Sequence, residues 1–390
     1  MEKRQEENIK KIRVHILASS HPQFDEILDF PPDGVEYNIN RVKTAYHGWV
    51  TQKKVALHGK LMAIFPIPRM THTKTDADLV HSTRGILQIK QKKPWIIDLE
   101  SGGIFVSFRY AALRNPIMKR IIINALKSKG CKRILPQSEA AKKNLMKVID
   151  CHTFADKIEV LYLCMRPCNK KKIERKDKKV VLSYVGRGFM GKGGHDLLKA
   201  YEILTQKYDN LELKFKGDIP EEYLPLAEKL KSKGLKVIEG HFPREELFDR
   251  MYLSSDIFVL PTHQDNYGVV FLEAMSAGLP IVGTENFTVP ELIEDGKNGF
   301  LIKSPYSWEN YLDENNKLDT ERMLIDWKKP HPGIIKQLVD KISILVEDKK
   351  LREKMGRESR KMIEDENGKF SIIRRNKQLR KIYEESLGMQ

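Results

Sequence analysis

The sequence predicts an α/β protein made of two doubly wound domains, each built on a parallel β-sheet. Short apolar runs alternate with longer helical stretches along most of the 390 residues, a pattern typical of parallel sheets covered by helices. The alternation stops at a charged segment, residues 166–179, and starts again behind it. The chain is therefore predicted to divide into two halves of the same style.

The first half is predicted to contain four strands and two helices. The strands are the apolar runs at 14–18, 95–99, 133–137 and 158–163. One helix follows Ser138, a residue type that caps a first turn well. The other is NPIMKRIIINALKSKG, a basic amphipathic helix whose inner face is predicted to hold Ile117, Ile121, Asn124 and Ala125. This half is predicted to form a domain over residues 1–168.

The second half repeats the pattern. Between 166 and 179 the chain holds eight bases and two acids, so 169–179 is predicted to be a solvated linker. Five strands are predicted behind it, at 179–186, 211–217, 237–242, 257–261 and 280–284. The polar stretch 303–333 is interpreted as a surface insertion. A domain is predicted over 180–365, followed by a C-terminal helix over 366–390 that packs back toward the first domain.

The net charge of +16 is concentrated in one stretch of the first half. Between residues 113 and 147 Glu139 is the only acid, against ten bases: Arg114, Lys119, Arg120, Lys127, Lys129, Lys132, Arg133, Lys142, Lys143 and Lys147. Such a surface is expected to meet an anionic membrane, although a buried helix with lysines reaching outward fits as well. No aromatic residue is interleaved for base stacking, so no nucleic-acid partner is expected.

The first residues and the cysteines bear on the cellular location of the protein and on metal binding. The first residues carry both charges before the apolar run at 14–18, which is no signal peptide, and no apolar run approaches a membrane span. We expect a cytoplasmic location, which includes peripheral association with the inner face of the membrane. All four cysteines lie within 38 residues, near His152: Cys131, Cys151, Cys164 and Cys168. Such a cluster fits either a zinc site or reduced structural thiols. The thiols are favoured, so no metal is predicted.

A glycine-rich stretch, VGRGFMGKGG, follows the first strand of the second half and points to phosphate. Gly186, Gly188 and Gly191 match a dinucleotide fingerprint, but the acid that such a site needs comes late, at Asp218. A P-loop requires Ser or Thr after Lys192, where Gly193 stands. The remaining interpretation is that Arg187 and Lys192 face one phosphate group.

Two acids some 75 to 85 residues later support this third interpretation. Asp265 and Glu273 are separated by at most ~12 Å if the chain between them is helical. That distance suits a sugar, its diphosphate and the ribose behind it. Free backbone N–H groups around Tyr267 to Val269 would point at the diphosphate, helped by the helix dipole.

Together these segments resemble the family 4 retaining glycosyltransferases, which use nucleotide sugars and have the GT-B fold. The matching runs are the Gly-Arg-x4-Lys-Gly stretch, EGHFPREELFDRMYLSSDIFVLP, DNYGVVFLEAMSAGLPIV and DGKNGFLI. The resemblance implies two Rossmann-like domains facing a central cleft, a UDP, GDP or ADP sugar as donor, a glycan or lipid-linked acceptor, and neither cofactor nor metal. It implies donor contacts from Gly186, Arg187, Lys192, Phe242, Asp265, Asn266, Tyr267, Gly268, Val269 and Glu273.

The resemblance has departures that leave some roles open. Asp265 is one methylene shorter than the usual Glu, and Phe287 and Thr288 replace a Gly pair. In the first domain Glu100 stands where the family often has a His, so it joins Arg187, Lys192 and Asp265 as a candidate catalytic group. Gly102 and Gly103 behind it suggest a mobile rim.

Three further residues, Ser19, Ser20 and His21, are candidates for the phosphate or acceptor side. The alternative functions are an NAD-type oxidoreductase and a basic nucleic-acid-binding protein.

Overall fold

In the computed structural model, residues 11–19, 24–42, 68–312 and 319–389 are described, and they form two units, each with its own parallel sheet. The first unit comprises Met1–Leu163 and Ile372–Gln390, and the second is Cys164–Ser371. The first stretch of this unit thus ends at Leu163, five residues before the boundary predicted at residue 168. The C-terminal segment belongs to the first unit from Ile372 onward.

The first unit is a five-stranded sheet with the order β2-β1-β4-β6-β7, and every pairing in it is parallel. A separate pair, β3 with β5, is also parallel. The strands are β1 (Ile12–Ser19), β2 (Val35–Val42), β3 (Met70–Thr71), β4 (Leu79–Ser82), β5 (Leu87–Gln88), β6 (Trp95–Leu99) and β7 (Cys131–Pro136). The helices are α1 (Asp25–Asp29), α2 (Pro116–Lys127) and α3 (Glu139–Val148), with α12 (Ile372–Ser386) from the C-terminal segment.

Apolar runs account for the central strands, because both faces of a parallel sheet are buried. The predicted strand at 95–99 is confirmed, and every residue of β6 is buried. The predicted cap is confirmed as well, since the Ser138 hydroxyl accepts the Ala141 N–H at 3.0 Å. The run predicted as a strand at 158–163 is not a full strand: Ile158 forms one isolated bridge to Ile134, and the N–H groups of Glu159 and Leu161 bond the carbonyls of Ile134 and Pro136 at 3.0 Å.

Helix α2 buries a different face from the predicted one. It begins at Pro116 with the Asn115 side chain as its cap, and Ile122 and Leu126 are its buried residues. Ile117 and Asn124, predicted for the inner face, are exposed, with Ile117 at 65%. The continuous apolar run 121–123 allowed two registers of the helix, and packing against the sheet selected the one centred on Ile122.

The second unit is a six-stranded sheet with the order β10-β9-β8-β11-β12-β13, again parallel throughout. Its strands are β8 (Val180–Val185), β9 (Leu211–Lys216), β10 (Leu235–Val237), β11 (Ile257–Leu260), β12 (Ile281–Thr284) and β13 (Gly299–Ile302). Its helices are α4 (Gly194–Lys207), α5 (Leu224–Lys231), α6 (Arg244–Leu247), α7 (Val269–Ser276), α8 (Val289–Leu292), α9 (Thr320–Asp326), α10 (Pro332–Glu347) and α11 (Lys349–Glu364).

Two predictions for this unit need correction. In place of the strand predicted at 237–242, strand β10 covers Leu235–Val237. The chain then turns at Gly240, whose φ is +92°. The basic segment before β8 is only partly solvated. Arg175 bonds the Ser254 carbonyl at 2.7 Å and pairs with Asp256, and Ile173 N–H bonds the Leu253 carbonyl at 2.9 Å. The segment therefore packs along the second unit.

The insertion at 303–333 is partly folded within the second unit. Helix α9 lies inside it, and the side chains of Tyr306, Tyr311 and Trp327 are buried. Among the described residues, no helix is long and apolar enough to cross a membrane.

Candidate functional site

Two loops leave the same edge of the second sheet side by side. Strands β8 and β11 are parallel neighbours, so their carboxyl ends lie together. We call residues 186–193, which follow β8, the glycine loop, and residues 261–268, which follow β11, the acid loop. The Gly191 carbonyl accepts the N–H groups of His263 and Gln264 at 2.9 and 3.0 Å. The two predicted segments are therefore brought into direct contact.

Gly193 makes this contact possible. Its φ is +66°, and a Cβ at this position would lie 2.0 Å from the Pro261 carbonyl oxygen. A side chain would thus force the two loops apart, besides straining the backbone. The glycine that breaks the P-loop pattern is required here by close packing.

The predicted cation and acid meet across the loops. Lys192 Nζ lies 2.6 Å from Asp265 Oδ2 and donates to the Gln264 carbonyl at 3.1 Å. The lysine side chain is 23% exposed and the aspartate 11%, so the pair is partly shielded from water. Arg187 is exposed at the start of the glycine loop, and no carboxylate of the described residues pairs with it. Within the described part of the chain, the glycine loop therefore offers Arg187 without a carboxylate partner and Lys192 as a paired cation.

Helix α7 begins at Val269, behind the acid loop. Gly268 precedes it in the left-handed region with φ +73°, and its carbonyl accepts the Phe271 N–H at 2.8 Å. Tyr267 is buried, and the Asn266 carbonyl accepts from the Thr288 hydroxyl. Asp265 stays on the loop in front of the helix. The first turn of α7 places backbone N–H groups and the positive end of its dipole near Asp265.

Glu273, four residues into α7, is buried at 4% exposure and is held by two partners. The Tyr252 hydroxyl donates to Glu273 Oε2 at 2.8 Å, and Arg244 Nε lies 3.5 Å from Oε1. Burial and the neighbouring carboxylate raise the pKa of Tyr252 well above its ordinary value. The sequence analysis found neither partner. Both lie in the run EGHFPREELFDRMYLSSDIFVLP, but only the folded chain shows that they reach Glu273.

Tyr184, on β8 beneath the glycine loop, was also missed. Its ring stacks on Phe215 with centroids 4.2 Å apart, and its hydroxyl is buried without a hydrogen-bond partner among the described residues. Burial first, and the charge of Asp265 second, raise the pKa of Tyr184. A Cβ at Gly186 would lie 3.0 Å from this hydroxyl, so the oxygen sits directly under the start of the loop.

The part of the chain that holds the two loops is similar to a known protein family. Residues 165–330 match the family model described as "Glycosyl transferases group 1". This part of the chain is therefore similar to the group 1 glycosyltransferases. Both loops, both acids and the Arg187–Lys192 pair lie within it.

A curated relative and two solved structures extend the likeness. An uncharacterized glycosyltransferase of Haemophilus influenzae is 31% identical over 180 residues, which are 46% of this chain and 47% of the relative. The chain spans about half the length of the curated relatives it matches. Anabaena HepE in complex with UDP-glucose has a TM-score of 0.58 at 14% identity, covering 95% of this chain and 98% of that one. WaaG, a glycosyltransferase involved in lipopolysaccharide biosynthesis, has a TM-score of 0.57 at 17% identity, with 94% and 99% covered.

Likeness at these identities shows the fold. The predicted α/β class with two Rossmann-like domains of the GT-B type is confirmed by these structures and by the two parallel sheets. The match to this family model also agrees with the interpretation that Arg187 and Lys192 face one phosphate group, and we call this pair of cations the clamp. Nothing in the comparisons favours an oxidoreductase.

Phe242, which the resemblance placed at the donor, is half-buried between charged side chains. Arg250 lies over its ring at 4.6 Å from the centroid, and Lys216 lies over it at 5.2 Å. These contacts hold the ring in place behind the end of β9.

The first-unit candidates differ from expectation. Glu100 follows β6 but is 6% exposed and accepts from Arg84 Nε at 2.5 Å. Arg84 occupies one oxygen of this carboxylate, and the catalytic role of Glu100 stays a prediction. Gly102 and Gly103 form no mobile rim. They are buried in a 3₁₀ turn, where a Cβ would lie 2.4 Å from the Val148 side chain or the Tyr110 ring, respectively.

The remaining candidates give no zinc site and no described acceptor site. Ser19 ends β1, and its side chain lies outside the described part of the structure, as do Ser20 and His21. Among the described residues, none of the four cysteines forms a disulfide bond. Burial raises the pKa values of Cys131 and Cys151 to about 12, which favours protonated thiols. Within the described residues, no cysteine belongs to a group with metal-ligand spacing.

Proposed function

We propose that the protein is a retaining glycosyltransferase that moves a sugar from a nucleoside diphosphate sugar to a glycan, lipid or similar acceptor. The observation that carries this proposal is the contact of Lys192 with Asp265 in front of helix α7. It joins a cation for phosphate and an acid for sugar hydroxyls at one point. The group 1 glycosyltransferase match over the same residues supports it.

The diphosphate is proposed to be bound by two cations of the glycine loop and by backbone donors at the start of α7, behind the acid loop. Arg187 is free to turn toward an arriving phosphate, and Lys192 already lies at the edge of the site. The N–H groups at the start of α7 supply neutral donors, and the helix dipole adds to the attraction. Gly186, Gly188 and Gly191 keep the glycine loop free of side chains, so its backbone can approach the phosphates.

The two acids divide the rest of the donor between them. Glu273 is proposed to accept hydrogen bonds from the ribose hydroxyls through its carboxylate oxygens. Asp265 accepts from sugar hydroxyls at the reacting end. In the absence of donor, Lys192 neutralises Asp265, so the lysine is held in place before the diphosphate arrives. Phe242 is proposed to contact the nucleoside side of the donor.

The transfer step needs stabilisation of the leaving diphosphate. Negative charge grows on its bridging oxygen as the bond to the sugar carbon breaks, and Arg187, Lys192 and the first turn of α7 are proposed to offset that charge. Fixed cations and backbone donors can do this without a catalytic metal ion. For retention, the acceptor hydroxyl attacks from the face that the diphosphate leaves, and a phosphate oxygen takes its proton.

The acceptor is proposed to be lipid-linked or glycan in nature, reached at an anionic membrane face. Helix α2 and the following segment expose cations and apolar side chains together, which supports peripheral contact. Ile117 is 65% exposed and Met146 is 49% exposed. Exposed cations of the same stretch are Arg114, Arg120, Lys127, Lys129, Lys143 and Lys147.

A transfer assay tests the function. Purified protein is incubated with UDP-, GDP- and ADP-sugars and a mixed membrane-lipid and glycan extract, and the release of nucleoside diphosphate is measured. We expect release from one nucleotide class, dependent on extract, and an anomeric proton in the product whose coupling matches that of the donor. Inverted configuration would refute retention, and absence of release from all three classes would refute the donor proposal.

Vesicle flotation tests the membrane contact. We expect binding to phosphatidylglycerol vesicles at low salt and little binding to neutral phosphatidylcholine vesicles. Ile117→Glu should weaken flotation, while Leu324→Glu, an equally drastic change at an exposed site of the second unit, should not. Equal flotation of both variants with the native protein would remove α2 from the contact.

A further inference from the structure

A cluster of three metal-ligating side chains lies behind the acid loop, outside the proposed donor contacts. His195 and Asp196 are in the first turn of α4, and His263 is in the acid loop. Each is exposed by 1% or less. We call these residues the buried triad. None of the three residues was predicted from the sequence to bind a metal ion.

We propose that the buried triad is a binding site for a divalent transition metal ion of the zinc class. Imidazole and carboxylate ligands suit zinc and its neighbours in the first transition row. This inference goes beyond the proposed transfer reaction, because none of the steps of that reaction uses the ion.

The distances within the triad fit one ion at its centre. Asp196 Oδ2 lies 2.8 Å from His263 Nε2 and 3.8 Å from His195 Nε2. One ligand atom from each residue lies within 4.8 Å of the other two. With that value as the longest side of the triangle, a point equidistant from the three atoms lies at most ~2.4 Å from each, against about 2.0–2.2 Å for zinc bonds to nitrogen and oxygen. Small side-chain movements would close the difference.

Two of the polar atoms that face this centre lack other partners. His263 Nε2 and Asp196 Oδ2 are buried and make no hydrogen bond with any described residue. His195 is buried beside the Lys329 backbone, which can orient its ring. The other carboxylate oxygen, Asp196 Oδ1, accepts the His331 N–H at 2.6 Å, so the carboxylate is oriented with Oδ2 toward the imidazoles. Unpartnered buried groups that converge on one point are the expected trace of an ion that joins them.

A directly hydrogen-bonded triad is the competing arrangement. The separation of 2.8 Å between Asp196 and His263 suits a hydrogen bond, but the N–H direction of His263 does not meet the oxygen. His195 is too distant at 3.8 Å. A buried carboxylate oxygen without a donor is costly, and a cation shared with two neutral imidazoles satisfies all three groups.

The surroundings of the triad suit a structural ion. Tyr306 packs on His263 with ring centroids 4.4 Å apart, Trp327 lies at 6.5 Å from the same ring, and Phe189 lies at 6.1 Å from His195. This apolar shell would limit the exchange of the ion with solvent. Because His263 precedes Asp265 by two residues, the ion would tie the acid loop to the start of α4.

Metal analysis of the untagged full-length protein tests the site directly. The protein is stripped with a chelator, supplied with zinc, dialysed and measured by mass spectrometry. We expect about one equivalent of zinc per chain, as metal affinity and folding are coupled at such sites. We also expect His195→Gln and His263→Gln to lose that zinc, while His152→Gln, a change at an exposed histidine of the first unit, keeps it.

Thermal unfolding with and without chelator gives a second measurement that does not depend on the folding of any variant. A chelator should lower the Tm of the native protein and of the His152→Gln variant alike. Zinc-free native protein after reconstitution, or undiminished zinc in the His195→Gln and His263→Gln variants, would overturn the proposal and leave a hydrogen-bonded triad. Both measurements are independent of sugar transfer, so either proposal can fail without the other.

Discussion

Lys192 is the side chain on which the acid loop and the glycine loop meet. It bonds the backbone of Gln264 and the carboxylate of Asp265, so it acts on the shape and the charge of the site together. Arg187, five residues earlier, has no such partner among the described residues and is exposed. We therefore propose separate tasks for the two cations, with Lys192 organising the site and Arg187 meeting the donor.

Replacing Arg187 separates function from stability. Arg187→Ala should lower kcat/KM for sugar transfer by roughly 100- to 1,000-fold, the usual loss when one charge-stabilising donor is removed from an active site. Its Tm should stay unchanged, since the side chain makes no described contact. Arg357→Ala, at an exposed arginine of α11, is the matched control and should leave kcat/KM unaltered. Unchanged turnover of Arg187→Ala would exclude this residue from the site.

Two buried tyrosines of the second unit differ in hydrogen bonding. The Tyr184 hydroxyl has no described partner, whereas the Tyr201 hydroxyl donates to the Lys233 carbonyl at 2.9 Å. Tyr184→Phe should therefore change the free energy of unfolding little, and Tyr201→Phe should lower it by about 1–2 kcal/mol. Urea denaturation measures both. Equal losses would mean that Tyr184 has a partner such as a buried water molecule.

The motif residues were predictable from the sequence because their spacing carries the information. Arg187, Lys192, Asp265 and Glu273 all lie in runs whose order and separation point to phosphate and sugar. Tyr252 could not be found in this way, because its contact with Glu273 depends on how α7 packs. The buried triad was missed for the same reason: His195 and His263 are 68 residues apart, and only the strand order brings them together.

At the scale of elements, the site exists because two neighbouring strands end at the same edge. Strands β8 and β11 were both expected from apolar runs, and both are confirmed. Strand order was not predictable, since periodicity describes each segment and not its neighbours. The run at 158–163 shows what periodicity leaves undecided, because an apolar run also fits a chain that lies beside a sheet with only a few backbone hydrogen bonds.

Alanine at two glycines of the same loop tests the close approach of the loops. Gly193→Ala should lower the free energy of unfolding well beyond ~1–2 kcal/mol, because it adds a clash with Pro261 to the strain of a positive φ. Gly188→Ala has a similar φ of +76° with no atom within 4 Å, so only the strain of ~1–2 kcal/mol applies. Denaturant unfolding of both variants measures the difference, and equal losses would show that the loops are not in contact.

At the scale of the whole molecule, the class was predictable and the details of the first unit were not. Alternating apolar runs and helices give a parallel sheet almost regardless of sequence detail, and a basic segment separates the two repeats of that pattern. The first-unit residues Glu100, Gly102 and Gly103 were assigned from position alone. Packing decides their roles, since Arg84 neutralises the carboxylate and neighbouring side chains fill the space beside the glycines.

The central claim is that the second unit binds a nucleoside diphosphate through the clamp. Thermal unfolding of the native protein against UDP, GDP, ADP and NAD tests it most directly. One nucleoside diphosphate, at 100 times its dissociation constant, should stabilise the fold by ~2.7 kcal/mol. The same nucleotide should stabilise Arg187→Ala much less and Arg357→Ala as much as the native protein. Stabilisation by NAD alone, or by none of the three diphosphates, would contradict the account.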